Sequence, residues 1–393
     1  MPGAGHYTNE SGRTVASGRE DASMPAPVER NARVSTLELF FDLVFVFTIT
    51  QLTSVLVDGK DAAAVAQVLV MLILIWWIYD GYAWLTNAIS TDRVRFRLLL
   101  IGGMGGFLVI ALAVPHAYES DGLAFGLGYL VVTVLHAALY VRGASMSEAR
   151  AILRFAPFNL VGAVLVTVGG ALGGDWQWAL WAFTGALLWF TPRFTTVEGF
   201  VVSVSHFVER HGLVVIVALG ESVVVIGAAA AGLPLDGGLV LVALLSLSLS
   251  AALWWVYFSD EEDVERAFEA AAEERRPELA LRAFGYWHYG ILFGVVALAA
   301  GLKKAIGEPY EPLAGWIAVG LAVGTALFIA SEVGFRRTFG IARNRVRLVG
   351  AAVVLATIPI GTELGAAAQV GAIAALVVVS LVLESRSVRT GQP

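Results

Sequence analysis

The sequence predicts an all-α fold, a polytopic membrane helix bundle of about twelve transmembrane helices built as an internal duplication of two six-helix units. Three observations predict it. Hydrophobic residues make up 58% of the chain and charged residues only 15%, with a mean hydropathy of +0.75, so a soluble fold of this length could not hide its apolar surface. The charges are bunched between apolar runs, most of them near the roughly 18–20 residues that cross a hydrocarbon core of about 30 Å. The two halves also repeat a pattern of residues.

Along the chain, residues 1–34 are polar and rich in Gly, Ser and Pro, with no apolar stretch fit for a cleaved signal; they read as a disordered cytoplasmic tail. Apolar spans are expected near 36–57, 62–87, 97–118, 121–141, 152–173 and 176–191, forming a first unit over 35–204. Spans near 205–231, 238–258, 284–302, 313–334, 346–364 and 367–384 form a second unit over 205–385, followed by a tail at 386–393. An acidic cytoplasmic loop at 259–283 carries much of the negative charge behind the net −6.

Basic residues are retained on the cytoplasmic side of a membrane. With twelve spans, all but three of the 26 Lys and Arg residues (Lys60, Lys303 and Lys304) fall on one side. That bias predicts cytoplasmic N- and C-termini and supports the helix count.

The first span carries Glu38 and Thr50-Gln51 where the seventh carries Glu209 and Glu221-Ser222. Span two contains Trp76-Trp77-Ile78-Tyr79, and span eight contains Trp254-Trp255-Val256-Tyr257. Units of six helices face the same way, so a pseudo-two-fold along the membrane normal is expected, with spans one and seven facing each other.

The run from Val34 to Leu52 (VSTLELFFDLVFVFTITQL), the segment Trp76 to Asn87, His211-Gly-Leu213 with Leu219-Gly-Glu-Ser222, and Trp254 to Tyr257 closely resemble the bacterial low temperature requirement A family. The resemblance covers residues 34–385 and implies a multi-spanning plasma-membrane protein. The pattern from Phe40 through Asp42 and Phe45 to Thr50 is also similar to the first-helix signature of endolysosomal potassium channels, although Thr36 stands here in place of their basic residue. That second likeness implies a pore lined by first helices, with Phe45 and Ile49 at an apolar constriction.

Ionisable groups inside a bilayer are costly and mark pathways, relays or buried pairs. Glu38 and Asp42 share a helix face four residues apart, and Asp80, Glu209 and His211 fall toward the same side, giving a cytoplasmic polar cluster in which Asp42 and Asp80 could meet. Thr50, Gln51, Glu221 and Ser222 are the expected polar sites of a transport path, Glu221 lying about mid-helix.

For several other roles the sequence carries no signal. It has no cysteine, no His-x-x-x-His or His-Glu-x-x-His metal motif and no Gly-x-Ser-x-Gly elbow. Gly102 to Gly106 lies inside an apolar span with no Lys-Ser after it, so it reads as small-residue helix packing rather than a nucleotide loop. No cofactor, no metal and no enzymatic activity are therefore expected. The expected partners are the lipid bilayer, a small ion or proton-coupled solute and, optionally, further copies of the chain in a homo-oligomer; nucleic acid is not among them. The alternatives are an intramembrane lipid-modifying enzyme using Asp42, Asp80 and a histidine, and a non-transporting sensory or partner-stabilising protein.

Overall fold

In a computed structural model that describes residues 34–59, 61–89, 93–341 and 344–389, the long elements are all helices. The first six are α1 Thr36–Asp58, α2 Ala62–Ala88, α3 Val94–Ala113, α4 Gly122–Gly143, α5 Met146–Leu172 and α6 Gly174–Phe194. They are followed by α7 Val204–Ala230, α8 Gly237–Phe258, the short α9 Glu261–Glu269 and α10 Arg276–Ala280, α11 His288–Gly307, α12 Gly315–Thr338, α13 Arg345–Leu355, α14 Ile358–Leu364 and α15 Ala366–Arg389. Eleven segments are long and apolar enough to cross a membrane, α13 and α14 together making one of them. Helix α6 has 21 residues, about 31 Å at 1.5 Å per residue, and supplies a twelfth traverse. This is a multi-pass membrane protein.

Helix starts follow local chemistry. Ser35 and Ser145 each form a capping box with the glutamate three residues on, Glu38 and Glu148. The second box starts α5 at Met146, ahead of the expected 152, because the cap overrides the charges that follow it. The stretch 259–283, expected to be a loop, is largely helical: its Glu, Arg and Ala residues favour helix, and Val264 and Phe268 of α9 are buried. A π-turn, Leu281–Trp287, then leads into α11. Most of the N-terminal tail, along with Lys60 and the last four residues, lies outside the described residues.

In the first six helices α1 packs on α2 and α3, α2 on α4 and α6, and α4 on both α3 and α5, with α5 against α6. In the rest α7 packs on α8 and α11, α8 on α12 and α15, and α12 on both α11 and α13, with α14 against α15. The pairings just named recur in the same order among helices one to six and seven to twelve by traverse, but α11 also packs on α8 and α15, and α12 on α15, without a counterpart of similar extent among the first six. Helix α1 also packs directly on α7.

Candidate functional site

Helix α7 runs through the middle of the polar residues. One turn into α1, Glu38 receives the Ser35 hydroxyl at 2.6 Å on Oε1, while Oε2 lies 3.0 Å from His206 Nε2. Arg210, one turn beyond His206, places Nη2 2.9 Å from Asp42 Oδ1 and Nη1 3.5 Å from Glu38 Oε2. None of its guanidinium nitrogens lies along a directed hydrogen bond, so charge rather than hydrogen-bond geometry holds it. The Tyr79 hydroxyl donates to Asp42 Oδ1, and Arg210 stands 5.9 Å from the ring centres of both Phe41 and Tyr79. Glu38, Asp42, Tyr79, His206 and Arg210 are all buried.

Asp80 faces the other side of α7. Its Oδ1 is 3.1 Å from His211 Nε2, and its Oδ2 accepts from Trp84 Nε1 at 3.2 Å. His211 Nδ1 meets the Phe207 carbonyl at 2.9 Å. Both ring nitrogens thus face acceptors, so the pair holds two protons: an imidazolium with a carboxylate, or a neutral ring with a carboxylic acid. Asp42 and Asp80 sit in separate sets of polar contacts: the structure brings both to α7, Asp42 to Arg210 and Asp80 to His211.

The π-turn before α11 completes this layer. It frees the Gly285 carbonyl to accept from Trp76 Nε1 at 2.7 Å, and a side-chain carbon on Gly285 would stand 3.4 Å from Asp80 Oδ2. His288 gives Nδ1–H to the Ala283 carbonyl at 3.1 Å, leaving Nε2 to accept from the Tyr257 hydroxyl at 2.8 Å. The His211 and His288 rings are 5.4 Å apart.

Deeper along the same α1/α7 contact, the Thr50 hydroxyl donates to Glu221 Oε2 at 2.6 Å. Glu221 is 2% exposed, and its Oε1 and the Ser222 hydroxyl make no hydrogen bond among the described residues. Thr50 and Glu221, which the sequence set at matching positions of spans one and seven, therefore meet. Gln51 is half-buried on α1. Phe45 and Ile49 are fully buried, with Phe45 stacked on Tyr79 at 3.9 Å, so passage at this level requires them to move. Glu209 is half-buried and accepts from the Val34 amide at 3.1 Å.

Sequence reasoning missed Arg210 and a second buried charge set. In the latter, Arg347 lies 2.7 Å from Glu332, 2.8 Å from Glu384 and 2.9 Å from Asp260, while Arg336 lies 2.9 Å from Glu384. The signals were present: two carboxylates one turn apart on α1 call for a cation, and Glu332 and Arg336 share a face of α12 at i,i+4. Among the described residues no group of His, Asp and Glu has the arrangement of a metal site.

All but the end of α15 falls inside one family match. A model described as bacterial low temperature requirement A protein (LtrA) matches residues 33–383. The chain belongs to that family. A relative, an uncharacterized protein of Rhizobium meliloti (strain 1021), is 28% identical over 323 residues, covering 78% of this chain and 77% of its own length. No solved structure matches the chain. The α1 and α7 residues described above, from Glu38 to Glu221, all lie within the LtrA match.

Proposed function

We propose that this LtrA-family protein conducts or transports a small ion, or a proton-coupled solute, along the seam between its two six-helix halves in the plasma membrane. The observation that carries the reading is the α1/α7 seam, which holds ionisable residues at two depths: Glu38 and Asp42 against His206 and Arg210, then Glu221 against Thr50. Thr50 is eight residues beyond Asp42, or about 12 Å along the helix. Polar groups spaced along one helix contact, with a carboxylate oxygen available at the deeper level, suit stepwise passage of a cation or proton. The helix pairings that recur in the two halves support an internal duplication, in which such a seam would lie on the pseudo-two-fold axis. The reading assigns no covalent step to any residue.

The test is flux in liposomes containing the purified protein, with potassium, sodium and proton gradients scanned in turn. Glu221→Gln keeps the shape of the side chain and removes its charge. It is expected to leave a monodisperse protein and to lower flux at least tenfold, or to remove its dependence on pH or ion concentration. Wild-type flux in that variant under every condition would remove the seam from the route.

Cytoplasmic placement of the arginine-rich end is part of the same proposal and has its own check. Cysteines at Ser120, Asp175 and Gly237, all exposed, are expected to react with an impermeant reagent on intact cells, whereas those at the exposed Ser145 and Glu273 are not. Gly122 is unsuitable because a side-chain carbon there would lie 2.8 Å from Gln177 and 2.9 Å from backbone oxygen. The reverse labelling pattern would invert the orientation.

A further inference from the structure

A groove of about 310 Å³ opens where α2 and α6 of the first half meet α11 of the second. Its lining is apolar and includes Ile73 from α2, Ala182, Ala186, Trp189 and Phe190 from α6, and Tyr289 from α11. Ala182, Ala186 and Phe190 are exposed, so the groove faces lipid rather than the core of the bundle.

Side chains hold it open. At its floor a side-chain carbon on Gly185 would stand 2.8 Å from Ile73 Cγ2, so α2 and α6 already touch there and cannot draw closer. The Tyr289 hydroxyl donates to the Leu69 carbonyl and the Tyr286 hydroxyl to the Trp189 carbonyl, both at 3.0 Å. The Trp189 ring centre lies 4.6 Å from that of Tyr286 and 5.4 Å from that of Tyr289. The π-turn and α11 are thereby pegged to α6 and α2.

One end of the groove is basic. Arg193 follows Trp189 by one turn of α6 and stands 5.9 Å from the Phe190 ring centre, while Arg282 precedes Tyr286 by about one turn. Both arginines therefore lie beyond the Trp189–Tyr286 contact, at the arginine-rich end of the bundle. Both are exposed, and neither makes an ion pair among the described residues; the nearest carboxylates along the chain, Glu198 and Glu278, pair with neither. At 1.5 Å per residue the stretch of α6 from Ala182 to Arg193 is about 16 Å long, and half of a hydrocarbon core of about 30 Å is about 15 Å. The groove thus has the length of one leaflet, with its cations at headgroup depth.

We propose that this groove holds an acyl chain of an anionic phospholipid from the leaflet at the arginine-rich end, with Arg193 and Arg282 on its phosphate-bearing headgroup. The chain covers the apolar length, and unpaired guanidinium groups favour a headgroup with net negative charge. A soluble phosphate would leave the apolar length unused. A zwitterionic lipid would bring an ammonium back toward the two arginines.

The inference concerns lipid binding and does not depend on the proposed flux. Delipidated full-length protein in a neutral detergent is titrated with dioleoylphosphatidylglycerol or dioleoylphosphatidylcholine, and retained lipid is counted by native mass spectrometry. One tightly held phosphatidylglycerol per chain is expected, with phosphatidylcholine at least about tenfold weaker. Glycerol phosphate in excess should not displace it. Arg193→Gln combined with Arg282→Gln is expected to bring phosphatidylglycerol down to the level of phosphatidylcholine. Ala186→Phe, at an exposed position, fills the groove while keeping both arginines, and should weaken phosphatidylglycerol severalfold in a protein that stays monodisperse. Five results would overturn the assignment: equal retention of the two lipids by wild-type protein, displacement by the headgroup alone, a preference that survives the arginine changes, undiminished binding in Ala186→Phe, or a lipid-free dimer in which a second copy covers the groove.

Discussion

Arg210→Met is expected to destabilise the folded protein by about 3–5 kcal/mol, the range for removing one member of a buried charge set. The reason lies in what remains. Glu38 and Asp42 are both buried within one turn of α1, and Arg210 is the guanidinium that contacts both. With it gone, Asp42 keeps the Tyr79 hydroxyl and Glu38 keeps Ser35 and His206, but the negative charge of the layer is no longer balanced by arginine. Neutralising the survivors should recover much of the loss: Arg210→Met combined with Glu38→Gln and Asp42→Asn is expected to be far closer to wild type than the single change. Midpoints of heat-induced loss of the monodisperse peak, measured by size-exclusion chromatography, check both. A single variant within about 0.5 kcal/mol of wild type would place Arg210 among ordinary surface-like substitutions and defeat the charge argument.

Gly170→Ala is the second change with a large expected effect. A side-chain carbon there would stand 2.0 Å from the Gly122 carbonyl oxygen and 2.3 Å from its carbon, so what blocks it is backbone and cannot rotate away. Helices α4 and α5 must separate, at a cost of about 3 kcal/mol, the upper end of the usual penalty for overpacking. Gly105 and Gly220 are matched controls, since nothing lies within 4 Å of a side-chain carbon at either. Alanine at these two is expected to be neutral or slightly stabilising by helix propensity. The same chromatographic midpoints compare all three, and equal behaviour of Gly170→Ala and the controls would show that α4 and α5 do not touch through backbone.

The membrane spans were legible because long apolar runs have few alternatives; α6 was the hardest, being short in apolar residues and carrying Asp175 and Arg193 near its ends. The acidic stretch after α8 was misread as loop because charge density masked helix propensity and the two inward-facing residues of α9, Val264 and Phe268. At the site, Thr50 and Glu221 were visible as polar residues at matched positions in two similar helices, but their bond to each other was not. Arg210 was not, because it stands beside His211 in the chain and reads as one more basic residue near a helix end. Which face of α7 it takes depends on tertiary packing against α1. The same holds for Arg347, whose three carboxylate partners come from the α8–α9 junction, α12 and α15.

Two close glycine contacts set how this bundle can move. Gly106 of α3 and Gly128 of α4 approach so that an added side-chain carbon on either would lie 3.0–3.3 Å from the other's carbonyl oxygen, and Gly294 of α11 and Gly324 of α12 do the same at 2.8–2.9 Å. These pairs occupy corresponding crossings of the two halves. Helices touching main chain to main chain cannot slide or rotate without collision, so each crossing acts as a weld. Flexing is thereby pushed out of the two welded pairs and toward contacts made by side chains alone. If the α1/α7 seam conducts as proposed, rocking of the welded pairs about it would open and close the level of Phe45 and Ile49 without unfolding any helix.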